Sequence, residues 1–189
     1  MRTVVGIGGL AIFLAMAVPI AKGRLLPFDL PIRDAIHPWA SPALTVAMRA
    51  VTVIGSGWFL VPLGALLAAL FAKRGKGPAV RRFVGLSLGA QLFSELLKGL
   101  FHRHRPDIFF GLTQSTNGSF PSGHSLVPLV VFWLLADVAD AGPAWRVASV
   151  SMAVVLGFTR VYLGYHYPSD VIGGWALAAI WLALWDDPE

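Results

Sequence analysis

The chain has 189 residues, 56% of them hydrophobic and 13% charged, with a formal net charge of +5 and a mean hydropathy of +0.69. A water-soluble domain of this length cannot bury that much apolar surface, and a chain without cysteine has neither disulfides nor thiolate chemistry. The bases sit in short loops between apolar runs rather than along a solvated stripe, so the positive charge points to no nucleic acid.

Six apolar stretches follow one another, at about 4–21, 56–72, 83–101, 125–141, 145–163 and 169–185. A bilayer core of about 30 Å takes roughly 20 apolar residues per helix. The expectation is therefore an all-α polytopic membrane protein with six transmembrane helices in a single domain, 1–189. No low-complexity tract or clear internal repeat interrupts it. Met1-Arg2 before an apolar run, with Ala15-Met16-Ala17 inside it, resembles a signal peptide. The retained-helix reading is preferred, because the rest of the chain is itself embedded.

The longest connection, 22–55, is broken by Pro27, Pro31, Pro38 and Pro42. Ser41 there is a candidate helix cap, with Pro42 at the first helical position, and the piece is expected to lie along the membrane interface. Residues 73–82 carry Lys73, Arg74, Lys76, Arg81 and Arg82, which marks that connection as cytoplasmic. Both termini then lie inside. The raw count of bases on the two faces is nearly even and favours this orientation only once Lys98, Arg105 and Arg160 are assigned to a ligand.

In the third stretch Gln91, Glu95, Lys98 and His102 recur at helical spacing and share one face. Polar residues in a membrane helix face the protein interior or a wet cavity. Glu95 has a plain local role as partner to Lys98, Lys98 could snorkel to the interface, and Gly85 with Gly89 reads as helix packing. Residues 111–124 read as a loop. Ser122 is placed to cap the fourth helix, which puts Gly123 and His124 in its first turn. Unpaired amides and the helix dipole make such a start an anion site. In 159–170, Pro168 starts the sixth helix, Asp170 falls in its first turn and His166 lies just before it. Tyr162, Tyr165, Tyr167 and Trp175 read as an interfacial aromatic belt.

All three polar clusters fall on one predicted membrane face, so Lys98, Arg105, His124, Arg160, His166 and Asp170 can converge. Three cations and a helix start suit a phosphate ester, whose oxygens gain charge in transfer. One histidine can attack phosphorus and the other can protonate the leaving oxygen. An aspartate on the attacking ring fixes its tautomer.

The pattern Lys98-x6-Arg105-Pro106, then Pro121-Ser122-Gly123-His124, then Thr159-Arg160-x5-His166-x3-Asp170 resembles the three-part signature of the type 2 phosphatidic acid phosphatase superfamily. One departure is Thr159, where the family usually has serine; the hydroxyl is kept. The resemblance implies a metal-independent lipid phosphatase with no cofactor. It makes His166 the nucleophile, Asp170 its orienting partner and His124 the acid and then the base. Lys98, Arg105 and Arg160 would bind phosphate with help from Ser122 and Gly123. Partners are then a lipid phosphate and the surrounding membrane lipids. The active site would face outward across the cell membrane. A phosphotransferase of the same fold and a small anion transporter are the alternative readings.

Overall fold

A computed structural model describes residues 2–107 and 116–185. Those residues form eight α-helices and no strand. They are α1 (Arg2–Ala21), α2 (Asp29–Ile36), α3 (Pro42–Val53), α4 (Gly57–Lys73), α5 (Gly77–Phe101), α6 (Gly123–Val138), α7 (Pro143–Tyr162) and α8 (Pro168–Trp185), with a 3-10 turn, His37–Trp39, after α2. The six predicted stretches coincide with α1 and α4 to α8.

Length and composition alone qualify four segments to cross a membrane: Arg2–Ala21, Pro42–Lys73 taken through the turn between α3 and α4, Pro143–Tyr162 and Pro168–Trp185. The helix α5 is long enough, at 25 residues, but it carries Arg81, Arg82, Glu95 and Lys98. The helix α6 is only 16 residues long and apolar throughout its middle.

α6 is the central helix, packed against α5, α7 and α8, while α1 lies along α8. Leu126, Val130, Leu134 and Ala136 are each at most 2% exposed, so α6 is apolar on every side because protein surrounds it. Leucines at 92, 96 and 100 of α5 and Trp58 of α4 instead point outward. Apolar side chains bared in this way on the bundle's outer surface are what a lipid solvent allows.

Small residues let the elements near α8 approach. A Cβ on Gly174 would stand 2.7 Å from the Ser122 carbonyl oxygen, and one on Gly173 would stand 2.3 Å from the Phe120 ring. Phe120, fully buried, packs edge-on against Phe101 at 4.8 Å and against Phe13 at 5.6 Å. Of the expected packing pair on α5, Gly89 does meet Trp181, but Gly85 faces open space.

At the end away from the N-terminus of α6, Arg146 and Arg82 share Asp137, at 2.6 and 3.5 Å. Lys76 donates to Asp140 and to the Val138 carbonyl. Several bases of the 73–82 connection therefore have protein partners.

The aromatic-belt expectation fails for Tyr162. Tyr162 is 1% exposed and its hydroxyl meets Thr45 Oγ1 at 3.0 Å, which ties α3 to α7. Tyr165 and Tyr167 lie under the guanidinium groups of Arg160 and Arg103, and Trp175 donates its indole N–H to the Ala153 carbonyl. All four aromatics face protein partners.

Candidate active site

The predicted residues come from six places in the chain and meet at one end of the bundle. Lys98 sits in the last turn of α5, Arg160 in the last turn of α7 and Asp170 in the first turn of α8. Gly123 and His124 open α6. Arg105 follows α5 in an irregular stretch, and His166 lies in the connection between α7 and α8.

The helix starts are built as their sequences suggest, with one difference. Ser41 caps α3 through Leu44 N at 3.2 Å, and Pro168 begins α8. Ser122 is the cap residue of α6 by its backbone, but its side chain makes no cap bond. Its hydroxyl is buried without a hydrogen-bond partner. Ser122 N donates to the Asp170 carbonyl at 3.0 Å, which seats the segment on α8.

Lys98 is 7% exposed. Its ammonium contacts Glu95 at 2.6 Å and stands 3.3 Å from where a Cβ on Gly123 would lie, so glycine leaves that cation room against the start of α6. Burial on this scale rules out simple snorkelling, and the Glu95 pairing is as expected. His102 does not continue the polar face. It adopts a left-handed conformation (φ 45°) and ends the helix, with its N–H bonded to the Lys98 carbonyl, so the chain turns away before its side chain can align with Gln91 and Glu95.

Arg105 is fixed by acceptors on both sides of the site. It donates to the Asn117 carbonyl and side-chain oxygen, to the Gly118 carbonyl, and to the Tyr165 carbonyl at 2.9 Å. Its Nη1 lies 3.3 Å from His166 Nε2. Asn117 also donates to Glu95 at 3.2 Å, which couples the loop to Lys98. Arg160 stacks on Tyr165 at 4.1 Å and donates to Thr52 Oγ1 at 3.0 Å. The Thr159 hydroxyl turns back to the Leu156 carbonyl at 2.6 Å, a local helix bond that any hydroxyl there could make.

His166 is 3% exposed. Burial pushes its imidazole well below the ordinary value of 6.5, and the cations Arg105, Arg160 and Lys98 push it further in the same direction. The ring is therefore neutral at neutral pH, and a nitrogen lone pair survives among three cations. Nδ1 stands 3.4 Å from Asp170 Oδ2 and makes no well-formed hydrogen bond. At that range the contact is electrostatic, of the kind that tightens when charge builds on the ring. His124 lies within electrostatic reach of Arg160, His166, Lys98 and Arg105, and its Cδ2 is 3.1 Å from the Cβ position of Gly55.

Sequence reasoning missed three contributors. Arg103, two residues before Arg105, turns to the other side and meets Asp170 and Asp29. Asn117 and Thr52 hold Arg105 and Arg160. The Arg-x-Arg spacing was the available signal, since alternate residues of a non-helical segment can face opposite ways. Residues 108–115, which include the first part of the expected 111–124 loop, lie outside the described residues.

Among the described residues, no group of three His, Cys, Asp or Glu is arranged to hold a metal ion. Fixed positive charge here comes from side chains and a helix start. Held around a neutral imidazole in a chain this apolar, it suits a phosphate carried on an apolar group. The comparisons agree. Residues 79–185 match the PAP2 superfamily. Phosphatidylglycerophosphatase B of Bacillus subtilis is 30% identical over 180 residues, covering 89% of this chain and 86% of that one. Lipid A 1-phosphatase of Rhizobium etli is 34% identical, over 85% and 76% of the two chains. The crystal structure of a transmembrane PAP2-type phosphatidylglycerolphosphate phosphatase from Bacillus subtilis superposes with a TM-score of 0.80, at 27% identity and 94% coverage of each chain. The chain belongs to the PAP2 superfamily, and by class it is a lipid phosphatase.

Proposed function

We propose that this chain hydrolyses the phosphate monoester or diphosphate of a membrane lipid through a phosphohistidine intermediate. Candidate substrates are a polyprenyl diphosphate, phosphatidylglycerophosphate or phosphatidate. The observation that carries the reading is a cavity of about 470 Å³ between α4, α5 and α6. Leu60, Val61, Leu88 and Val131 line its length, while Lys98, Gly123 and His124 stand in its wall. An apolar chain held there leaves its phosphate against the cations.

In the first step His166 Nε2 attacks phosphorus and the bond to the lipid oxygen breaks. His124 delivers the proton that the leaving oxygen needs, so it must enter the step protonated. Asp170 stabilises the positive charge that builds on His166. Lys98, Arg105, Arg160, the Ser122 hydroxyl and the Gly123 N–H take up the charge on the phosphoryl oxygens. In the second step water attacks the phosphohistidine, His124 accepts its proton, and the phosphorus–nitrogen bond breaks to release phosphate.

Because side chains supply the positive charge, the enzyme should need no metal. Phosphate release from a lipid phosphate in detergent should persist in excess chelator and stop with vanadate, which adopts the five-coordinate geometry of in-line transfer. Activity lost to chelator and restored by Mg²⁺ would refute this.

The six-helix layout is read as six membrane spans in one domain, 1–189, of the cell membrane, with termini inside and the site outside. Cysteine scanning tests the orientation. Gly75 sits at φ +80° and would be strained by substitution, so the exposed Arg74 is the better position for the inner label. Arg74→Cys should react with impermeant reagents only after the membrane is opened, and Thr116→Cys in intact cells. The reverse pattern would put the site in the cytoplasm.

A further inference from the structure

Asp29 is a carboxylate in the proline-rich connection after α1, fully buried and distant in sequence from every motif above. Four donors meet it. Its Oδ1 accepts from Ser169 N at 3.0 Å, and its Oδ2 accepts from Ser169 Oγ at 2.8 Å, Arg103 Nη2 at 2.7 Å and Leu26 N at 3.1 Å. Arg103 extends the other arm of its guanidinium, Nη1, to Asp170 Oδ1 and to Ser169 Oγ. The Tyr167 ring lies 4.5 Å from that guanidinium.

We propose that Asp29 and Arg103 are positioning residues that aim Asp170 at His166, an inference that rests on His166 being the nucleophile. Asp170 is 0% exposed. One oxygen is held by Arg103 and the other by Tyr167 N at 2.8 Å, which leaves Oδ2 directed toward His166 Nδ1. The planar fork of arginine fixes the rotation of that carboxylate, which a lysine could not do while also reaching Asp29.

Charge gives the second reason. Arg103 alone would neutralise Asp170, and a neutral pair offers little to a histidine surrounded by Lys98, Arg105 and Arg160. Asp29 supplies a second negative charge to the same guanidinium. The three groups together carry a net charge of −1, directed at the ring that turns cationic in the transition state. Asp29 also grips Ser169 through both its N–H and its hydroxyl, which fixes the residue next to Asp170.

The test is a mutant cycle in detergent with kcat, KM and thermal unfolding measured together. The variants are Asp29→Asn, Arg103→Lys and Asp170→Asn, with each of the first two also combined with the third. Positioning predicts that Asp29→Asn and Arg103→Lys lower kcat by about 10- to 100-fold, the range for groups that act through another. KM should stay within about threefold. In the Asp170→Asn background the same changes should cost less than about threefold more, because the carboxylate they aim is gone. A lowered unfolding temperature with wild-type kcat per folded enzyme would overturn the proposal. Equal losses in both backgrounds would do the same. If Asp170→Asn itself turned over like wild type, the His166–Asp170 reading would fall first and take this inference with it.

Discussion

His166→Ala is expected to abolish turnover, lowering kcat by about 10⁴-fold or more, the scale seen when a covalent nucleophile is removed. The reasoning is geometric. His166 Nε2 stands 3.3 Å from Arg105, on the side where the cations gather, and Nδ1 faces Asp170 at 3.4 Å. His124, the other imidazole of the site, lines the cavity between α4, α5 and α6 and is the proposed proton donor. Burial together with Arg105, Arg160 and Lys98 keeps the His166 ring unprotonated, which a nucleophile requires. Alanine cannot form the phosphoenzyme, while the phosphate cradle survives. The variant should therefore still bind inorganic phosphate in a direct binding measurement. Retention of more than a small fraction of the rate would remove His166 from the role.

A second large effect should come from a residue with no chemistry of its own. Gly174→Ala puts a methyl group 2.7 Å from the Ser122 carbonyl oxygen, 2.9 Å from Ser125 Cβ and 3.4 Å from Leu126 N. The crowded atoms are largely backbone at the first turn of α6, so no side-chain rotation relieves the contact. Overpacking of this sort costs about 1–3 kcal/mol. The displaced turn carries Gly123 and His124, so turnover should fall together with the unfolding temperature. Gly8→Ala is the matching control. It sits within α1 with nothing within 4 Å of the added methyl, and alanine there should leave stability equal or up to about 1 kcal/mol higher. If Gly174→Ala matched Gly8→Ala in both readouts, the close seating of the Ser122 segment on α8 would be wrong.

These two cases also separate what the sequence made legible from what it hid. The helices were readable because each is a long apolar run, and α6 was as readable as the others although protein, not lipid, surrounds it. Hydropathy marks an apolar environment without saying which kind it is. The motif residues were readable because spacing places Lys98, His124, Arg160 and Asp170 near helix ends on one side. Asp29 was not readable. It is a lone acid between prolines, and its partner Ser169 lies 140 residues away, a pairing that no periodicity encodes. Ser122 was assigned correctly by position and wrongly by side chain, because its role depends on the long-range bond to the Asp170 carbonyl. Tyr162 was misplaced for a related reason. An amphipathic ring suits a membrane interface and also suits a buried hydroxyl or a stacked guanidinium, and only tertiary contacts decide among them.

The most direct measurement is to mix enzyme with a lipid phosphate labelled on phosphorus, quench within the first turnover and map any label on the protein. The expected result is protein-bound phosphate that is acid-labile and stable to base, located on His166, and formed and lost at rates compatible with kcat. Label on another side chain, or turnover in which no protein-bound phosphate forms at any time, would contradict a phosphohistidine route.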